Sequence, residues 1–350
     1  MSSQPQNPGA GRRAAILGTG LIGSSIGIGL RNAGWFVTGW DPDPVAISKA
    51  GAVGAFDEPA GDRESATRRA DLIVLAGPVS EIVHGLGRLD TAALVTDVAG
   101  VKAPVVTAGH HLAGFVGGHP MAGRETSGPA GASGSMFRGA TWVLTTDGAR
   151  PDAIDTLSEI VASLGANPVR MTATEHDEAV AAASHLPHVT AAALVEAVAS
   201  HPGALDLAAG GFRDLTRVAL SEPGWWIDVL TANSGPVADE LRRMAAGLES
   251  LAGAVERADR VVLEERLRRA REIRGGMAAP VETVSMILED RPGEMARVGL
   301  ALSLSNVDLR DLQLRHSVHG GGGVLTLSVR AGEAARLREA LEMERFRVLD

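Results

Sequence analysis

The sequence predicts an α/β protein in three parts: an N-terminal open parallel sheet with helices on both faces, an all-helical middle, and a C-terminal βαββαβ module. Three observations predict it. An apolar run, Arg13 to Gly18, passes through a glycine-rich turn into a helical stretch of small residues and then a second apolar run ending at Asp41. After Pro151 short apolar runs give way to Ala/Leu/Glu/Arg-rich stretches of helical period. Beyond residue 281, strand and helix patterns alternate in the order of a ferredoxin-like fold.

The elements follow in order. Residues 1–11 are polar and Pro/Gly/Gln-rich, with no apolar stretch after a charged start, and read as a disordered tail rather than a signal peptide. The helical stretch Leu21–Ala33 closes at Gly34, and the second run spans Trp35–Trp40. Apolar runs recur at Leu72–Ala76, Leu94–Val98, Phe115–Gly117 and Thr141–Leu144, several with helix-length segments between them. Wholly apolar strands alternating with helices indicate a parallel sheet buried on both faces, so the first domain is expected over 12–150. Helices are expected at roughly 152–164, 174–200 and 234–273, forming a second domain over 151–274. Asp177 to Ser200 carries too few charges for a solvated surface, which points to a subunit interface. Pro187 removes a hydrogen-bond donor inside that helix and predicts a kink. Residues 256–274 read as a solvated charged helix, and Gly275–Pro280 as a linker. The last domain, 281–350, is expected as strand 282–289, helix 293–304, strand 307–315, a glycine hairpin at 320–323, strand 324–329, helix 333–343 and strand 346–349.

Composition removes whole classes of chemistry. The 350 residues contain no Cys and no Tyr, which excludes disulfides, thiolate nucleophiles, Cys-ligated metals and any phenolic acid or base. Only Lys49 and Lys102 are lysine, so amine chemistry has two candidates and proton chemistry falls mainly to 10 His and 42 Asp plus Glu. A net charge of -9 argues against a nucleic-acid partner. No apolar run reaches membrane-spanning length, and a cytoplasmic protein is expected.

Gly18-Thr19-Gly20-Leu21-Ile22-Gly23 fits G-x-G-x-x-G after a strand and at the start of a helix. Gly18 allows the tight turn, Gly20 lets backbone approach a pyrophosphate, and Gly23 lets helix and strand pack closely. Leu21 and Ile22 lie at the helix N-terminus, where unpaired N–H groups face the phosphates. Asp41, ending the next strand, suits two ribose hydroxyls and repels a 2′-phosphate, so NAD is expected over NADP.

Three further segments carry polar chemistry. His119, in a glycine-rich loop after a strand, lies where substrate would meet a nicotinamide and has the near-neutral pKa that suits removal of a hydroxyl proton. Glu125 is near enough in sequence to orient it, and a loop His bonded to backbone is the plainer alternative. His185 and His188 sit three apart, on neighbouring faces of the apolar helix. A zinc site there lacks a third ligand nearby in sequence, and a buried, bonded structural role is the leading alternative, above all for His185. Arg213 and Arg217 offer forked recognition of a carboxylate, with phosphate less supported and an Arg213–Asp214 surface pair as the alternative. Trp225 and Trp226 read as core residues, one of which could wall a pocket.

Taken together these segments resemble the prephenate/arogenate dehydrogenase family of tyrosine biosynthesis. The matching stretches are GTGLIGSS (18–25), WDPD (40–43), TDVAGVK (96–102), GGHPMAGRE (117–125), SHLPH (184–188), GGFRDLTR (210–217) and SEPGWW (221–226). The terminal module resembles an ACT domain through residues 289–295 and its βαββαβ order. The resemblance implies NAD-dependent removal of hydride from C4 of prephenate with loss of the ring carboxylate as CO2. It further implies His119 as partner of the C4 hydroxyl and its base, Arg217 on a substrate carboxylate, His188 at the pyruvyl end, Glu125 at the pocket mouth and Trp226 beside the ring carboxylate. Of these roles, chemistry alone independently supports two: a His for the proton and an Arg for the anion. Gly100 stands where family members commonly carry Ser near the reacting centre, and its site is expected to be filled by water or to alter substrate preference. The resemblance also implies a homodimer and tyrosine as an end-product effector bound around Arg291–Met295. Arogenate is the near rival substrate. A β-hydroxyacid dehydrogenase would want a lysine in the helical domain, where neither Lys lies. A non-enzymatic NAD- and amino-acid-sensing protein is the remaining alternative.

Overall fold

The computed structural model describes residues 11–122, 128–276, 281–316 and 322–349. The expected tail before Gly11, Glu125, the linker residues 277–280 and the first two residues of the glycine hairpin, 320 and 321, lie outside them. The chain divides into two compact units, Met1–Gly247 and Leu248–Asp350.

The first unit is built on six strands: β1 (Arg13–Leu17), β2 (Phe36–Trp40), β3 (Glu58–Pro59), β4 (Leu72–Leu75), β5 (Leu94–Asp97) and β6 (Phe115–Val116). They pair in parallel in the order β3-β2-β1-β4-β5-β6. Between them run α1 (Leu21–Asn32), α2 (Pro44–Ala52), α3 (Arg63–Thr67), α4 (Val79–Leu86) and α5 (Ala103–Gly109). The order reverses between β1 and β4, which opens a crevice at the carboxyl ends of the strands. Alternation along β1 divides the core: Ala14 and Ile16 join one buried cluster with Ile26 and Leu30 of α1, while Ala15 and Leu17 join another with Val79 and Ile82 of α4. Both faces are covered, as the apolar strands predict.

The α/β core runs past the boundary expected at 150. A second sheet, in the order β7-β8-β9, joins β7 (Gly118–Pro120), β8 (Thr141–Thr145) and β9 (Asn167–Met171). Helix α6 (Pro151–Ser163), expected in the helical domain, buries Ile154, Leu157 and Val161 in the same cluster as α1. The composition change at Pro151 marks the start of a helix and not of a domain. Strand β9 is mostly exposed and contains Pro168, so it lacks an apolar run to signal it.

The helical part comprises α7 (Ala173–Val180), α8 (Leu186–Ala199), α9 (Gly210–Thr216), α10 (Pro223–Ala232), α11 (Ser234–Glu256) and α12 (Arg260–Gly276). The expected kink at Pro187 takes the form of a π-helical turn, Ala181–His185, joining α7 to α8. Pro187 has no N–H for the carbonyl four residues earlier, and widening the turn absorbs the misfit. The helix expected over 234–273 breaks between α11 and α12, where Ala258 takes φ 49°. No described residue of α12 is buried, as its charge pattern predicts.

The C-terminal module follows its predicted order closely: β10 (Val281–Leu288), α13 (Glu294–Ser305), β11 (Leu309–His316), β12 (Gly323–Arg330), α14 (Ala334–Met343) and β13 (Arg347–Leu349). The antiparallel sheet runs β11-β12-β10-β13, with Val284, Met286, Leu325 and Leu327 buried beneath Val298, Leu337 and Leu341 of the helices. Among the described residues no helix is long and apolar enough to cross a membrane.

Candidate active site

The glycine turn sits at the crevice. Gly18 takes φ +103°, and a Cβ there would meet the Ala76 carbonyl oxygen at 2.3 Å, so only glycine fits between β1 and β4. Gly20, the residue before α1, is different: a Cβ on it would meet nothing within 4 Å. That open space lies in front of a helix N-terminus with no acidic residue in its first turn, which suits a dinucleotide pyrophosphate. The Asp41 carboxylate is held in place by the backbone N–H of Thr19 (2.7 Å) and of Asp43 (3.0 Å). It is therefore fixed beside the turn, where ribose hydroxyls would arrive. The residues present fit the cofactor that the motif predicts.

His119 lies on β7, a strand of three residues, rather than in a loop. The strand is short and consists of His119 between a Gly and a Pro, and part of its anchoring comes from side chains, which hid it in the sequence. Gly118 N–H donates to Asp97 Oδ1 (3.0 Å), and the Gly118 carbonyl accepts from Lys102 Nζ (2.7 Å). Lys102 is wholly buried and paired with Asp97. Burial lowers its pKa, against the opposing pull of Asp97 and Asp177. A lysine so enclosed props the backbone around His119 and is no amine nucleophile.

The His119 ring joins a chain of contacts. Its Nδ1 lies 2.8 Å from Nε2 of His176, whose Nδ1 lies 2.7 Å from Oδ1 of Asp177. Asp177 also accepts the backbone N–H groups of Lys102 (2.7 Å) and Ala103 (2.8 Å). Burial holds the His119 pKa well below its usual value, and the positive charge of Lys102 adds to that. The other side of the ring faces Gly100: a Cβ there would lie 3.7 Å from His119 Nε2.

A second cluster adjoins the first through Asn233, whose side-chain amide donates to the Asp177 carbonyl (2.8 Å) and lies 3.2 Å from His185 Nδ1. His185 is buried and bonded, and burial lowers its pKa to about 4. His188 stacks on Trp226 with ring centroids 3.6 Å apart, and His185 meets the same indole edge-on at 6.0 Å. Among the described residues His188 Nδ1 has no hydrogen-bond partner, and burial lowers this ring's pKa too. Neither Trp is core: Trp225 is 51% exposed and Trp226 half-buried. Their helix, α10, lays Ala232 against the core beside α4 and leaves these rings at its outer start.

Arg217 begins a short 3-10 turn, Arg217–Leu220, packed against α8, the helix that carries His188. Among the described residues no group of His, Asp and Glu has the arrangement of a metal site, zinc at His185 and His188 included. His119 and Gly100 are thus together, and His185, His188 and Trp226 are together. His176, Asp177, Lys102 and Asn233 are the participants that sequence reasoning did not assign. An adjacent His-Asp pair at a helix start and a lone lysine in an apolar stretch were their signals.

Residues 26–170 match the profile of a family described as prephenate dehydrogenase, nucleotide-binding domain, and residues 172–269 match prephenate dehydrogenase, dimerization domain. A prephenate dehydrogenase of Lactococcus lactis is 30% identical across 95% of this chain and 97% of its own length. The structure of prephenate dehydrogenase from A. aeolicus, in complex with hydroxyphenyl propionate and NAD+, superposes with a TM-score of 0.72 at 28% identity. It covers 79% of this chain and all of that one. The structure of Synechocystis arogenate dehydrogenase gives a TM-score of 0.67 at 30% identity, over 76% of this chain and all of that one.

Proposed function

This chain belongs to the prephenate dehydrogenase family, and from that premise we propose how its residues carry out NAD-dependent oxidative decarboxylation of prephenate to 4-hydroxyphenylpyruvate. NAD, when bound, supplies the acceptor for the hydride that leaves C4. Gly20, Leu21 and Ile22 face its pyrophosphate on a turn that Gly18 and Gly23 allow to close, and Asp41 takes the ribose hydroxyls. One observation carries the assignment of the base: His119, its pKa lowered and its Nδ1 engaged, turns Nε2 toward the gap at Gly100 at the carboxyl edge of the sheet.

A neutral imidazole at neutral pH accepts the C4 hydroxyl proton as hydride leaves. Aromatisation of the ring drives loss of CO2, so the remaining residues need only orient and exclude water. Arg217 holds a substrate carboxylate with its forked donors. His188, fixed flat against Trp226, contacts the pyruvyl side chain, and Trp226 flanks the ring carboxylate. The family resemblance would put Glu125 at the pocket mouth. Gly100 leaves room beside the reacting hydroxyl that a water fills. The test is NAD reduction by purified protein with prephenate and with arogenate, NADP serving as control. Turnover of prephenate with NAD is expected, and turnover of arogenate alone would shift the substrate to the amine analogue. That second reading draws on the arogenate dehydrogenase likeness.

The proposal extends to a cytoplasmic homodimer with a regulatory C-terminal module. Leu207, Leu215 and Leu220 are 84%, 69% and 90% exposed on the helical part, an apolar surface that a second copy would cover. The βαββαβ unit supports an ACT-like role. It carries a cleft of about 650 Å³ lined by Glu289, Arg291, Glu294, Arg297, Arg345 and Arg347, with charges of both signs for the carboxylate and amine of tyrosine.

A further inference from the structure

One buried titratable group has no part in the mechanism so far. His176 is 1% exposed and in contact with the ring that takes the proton. We propose that His176 is a positioning residue that fixes which nitrogen of His119 faces the substrate. The inference rests on His119 serving as the base.

The protons can be placed one by one. Both oxygens of Asp177 accept backbone N–H groups, Oδ1 from Lys102 and Oδ2 from Ala103, so the group acts as an ionised acceptor. The proton in its 2.7 Å contact with His176 therefore sits on His176 Nδ1. A neutral His176 then presents Nε2 as a lone pair. The 2.8 Å contact to His119 needs one hydrogen, and His119 Nδ1 must supply it. His119 Nε2 is left unprotonated, on the side of the ring that faces Gly100. Hydroxyl oxidation demands this tautomer: Nε2 takes the proton, and the imidazolium formed keeps its Nδ1–H on His176, backed by Asp177. The proton stays on His119 until it exchanges with solvent or product. The groups around the pair have matching duties. Lys102 and Asp97 hold the β7 backbone, Asn233 holds the Asp177 carbonyl, and His185 lies beyond Asn233. A His176 carrying two protons would turn the chain round and leave His119 with Nε2–H, unable to accept.

Two measurements on the full chain decide. Nitrogen NMR of protein labelled at histidine, with the His119 signals assigned by their loss in His119→Gln, is expected to show protonated Nδ1 and unprotonated Nε2 near pH 8. The opposite tautomer would overturn the proposal. In steady-state assays His176→Leu should lower kcat by about tenfold or more, short of the roughly 10²- to 10⁴-fold that loss of the base itself would cost, and displace the acid limb of the pH profile. KM for NAD should stay within about twofold, since the change lies in proton transfer and not in cofactor binding. His176→Gln, whose side-chain oxygen can accept from His119 Nδ1, should recover part of the loss. Wild-type kcat with an unchanged profile in His176→Leu, or no recovery in His176→Gln, would also overturn it. The NMR result needs neither variant of His176 nor any substrate, so absence of prephenate turnover would defeat the functional reading while this one is judged separately.

Discussion

Gly23 of α1 packs so closely on Gly18 that a Cβ on Gly23 would lie 2.0 Å from the Gly18 carbonyl oxygen. Gly20, between them, has open space instead. The two positions should respond differently to one substitution. Gly23→Val is expected to destabilise the fold by about 3 kcal/mol or more, seen as a lowered urea midpoint. Gly20→Val should fold normally and weaken NAD binding by at least about tenfold in calorimetry, the ~1.4 kcal/mol of one impaired phosphate contact. Equal effects on stability would mean that the space at Gly20 is not a ligand's.

Activity should persist into mild acid. An unperturbed imidazole loses its basic form below about pH 6.5. The His119 pKa is lowered, so protonation, which removes the base as pH falls, comes at lower pH. The acid limb of kcat/KM with prephenate is expected below pH 6.5. A limb at or above that value would show that another group limits the reaction.

Stability should carry a separate acid dependence from His185. In the unfolded chain its ring takes a proton near pH 6.5, and in the folded chain only near pH about 4. Between those values the unfolded state binds the proton and the folded state does not. The urea midpoint should therefore fall as pH drops from 6.5 toward 4 and show no such contribution above 6.5. His185→Gln should flatten this part of the curve, and an identical slope in both proteins would contradict the burial argument.

A Cβ at Gly100 would stand at ordinary contact distance from His119 Nε2. Gly100→Ser should thus be accommodated, with a stability change under about 0.5 kcal/mol. Its hydroxyl should add one hydrogen bond at the reacting centre and raise kcat/KM for prephenate by about two- to tenfold, equivalent to ~0.5–1.4 kcal/mol. A large fall in stability would show that the gap is smaller than the backbone implies.

Tyrosine is expected to inhibit the intact chain and to lose that effect on a chain ending at Gly276, as measured by initial rates with prephenate. Equal inhibition of both forms would move the effector to the active site.

Much of this architecture is local and so is legible in the sequence. Apolar strands, the glycine turn and Asp41 declare the nucleotide-binding sheet within some thirty residues, and the C-terminal elements fall within a few residues of their patterns. The legibility fails where long-range contacts decide. Strand β7 has three residues anchored partly by Asp97 and Lys102, and β9 is an exposed strand containing Pro. His176 meets His119 across 57 positions, so no spacing rule could pair them. The Trp pair reads as core because large aromatics are usually buried, whereas here they sit on a helix end open to solvent.

The enclosure of Lys102 has a practical side. Of the two lysines in the chain, Lys49 is exposed and Lys102 is sealed behind the strand that bears His119. An amine-directed reagent added to native protein finds one internal side chain to acylate. The second is tagged only when the scaffold behind the imidazole comes apart, so mass spectrometry of that single peptide over time clocks the opening of the catalytic centre.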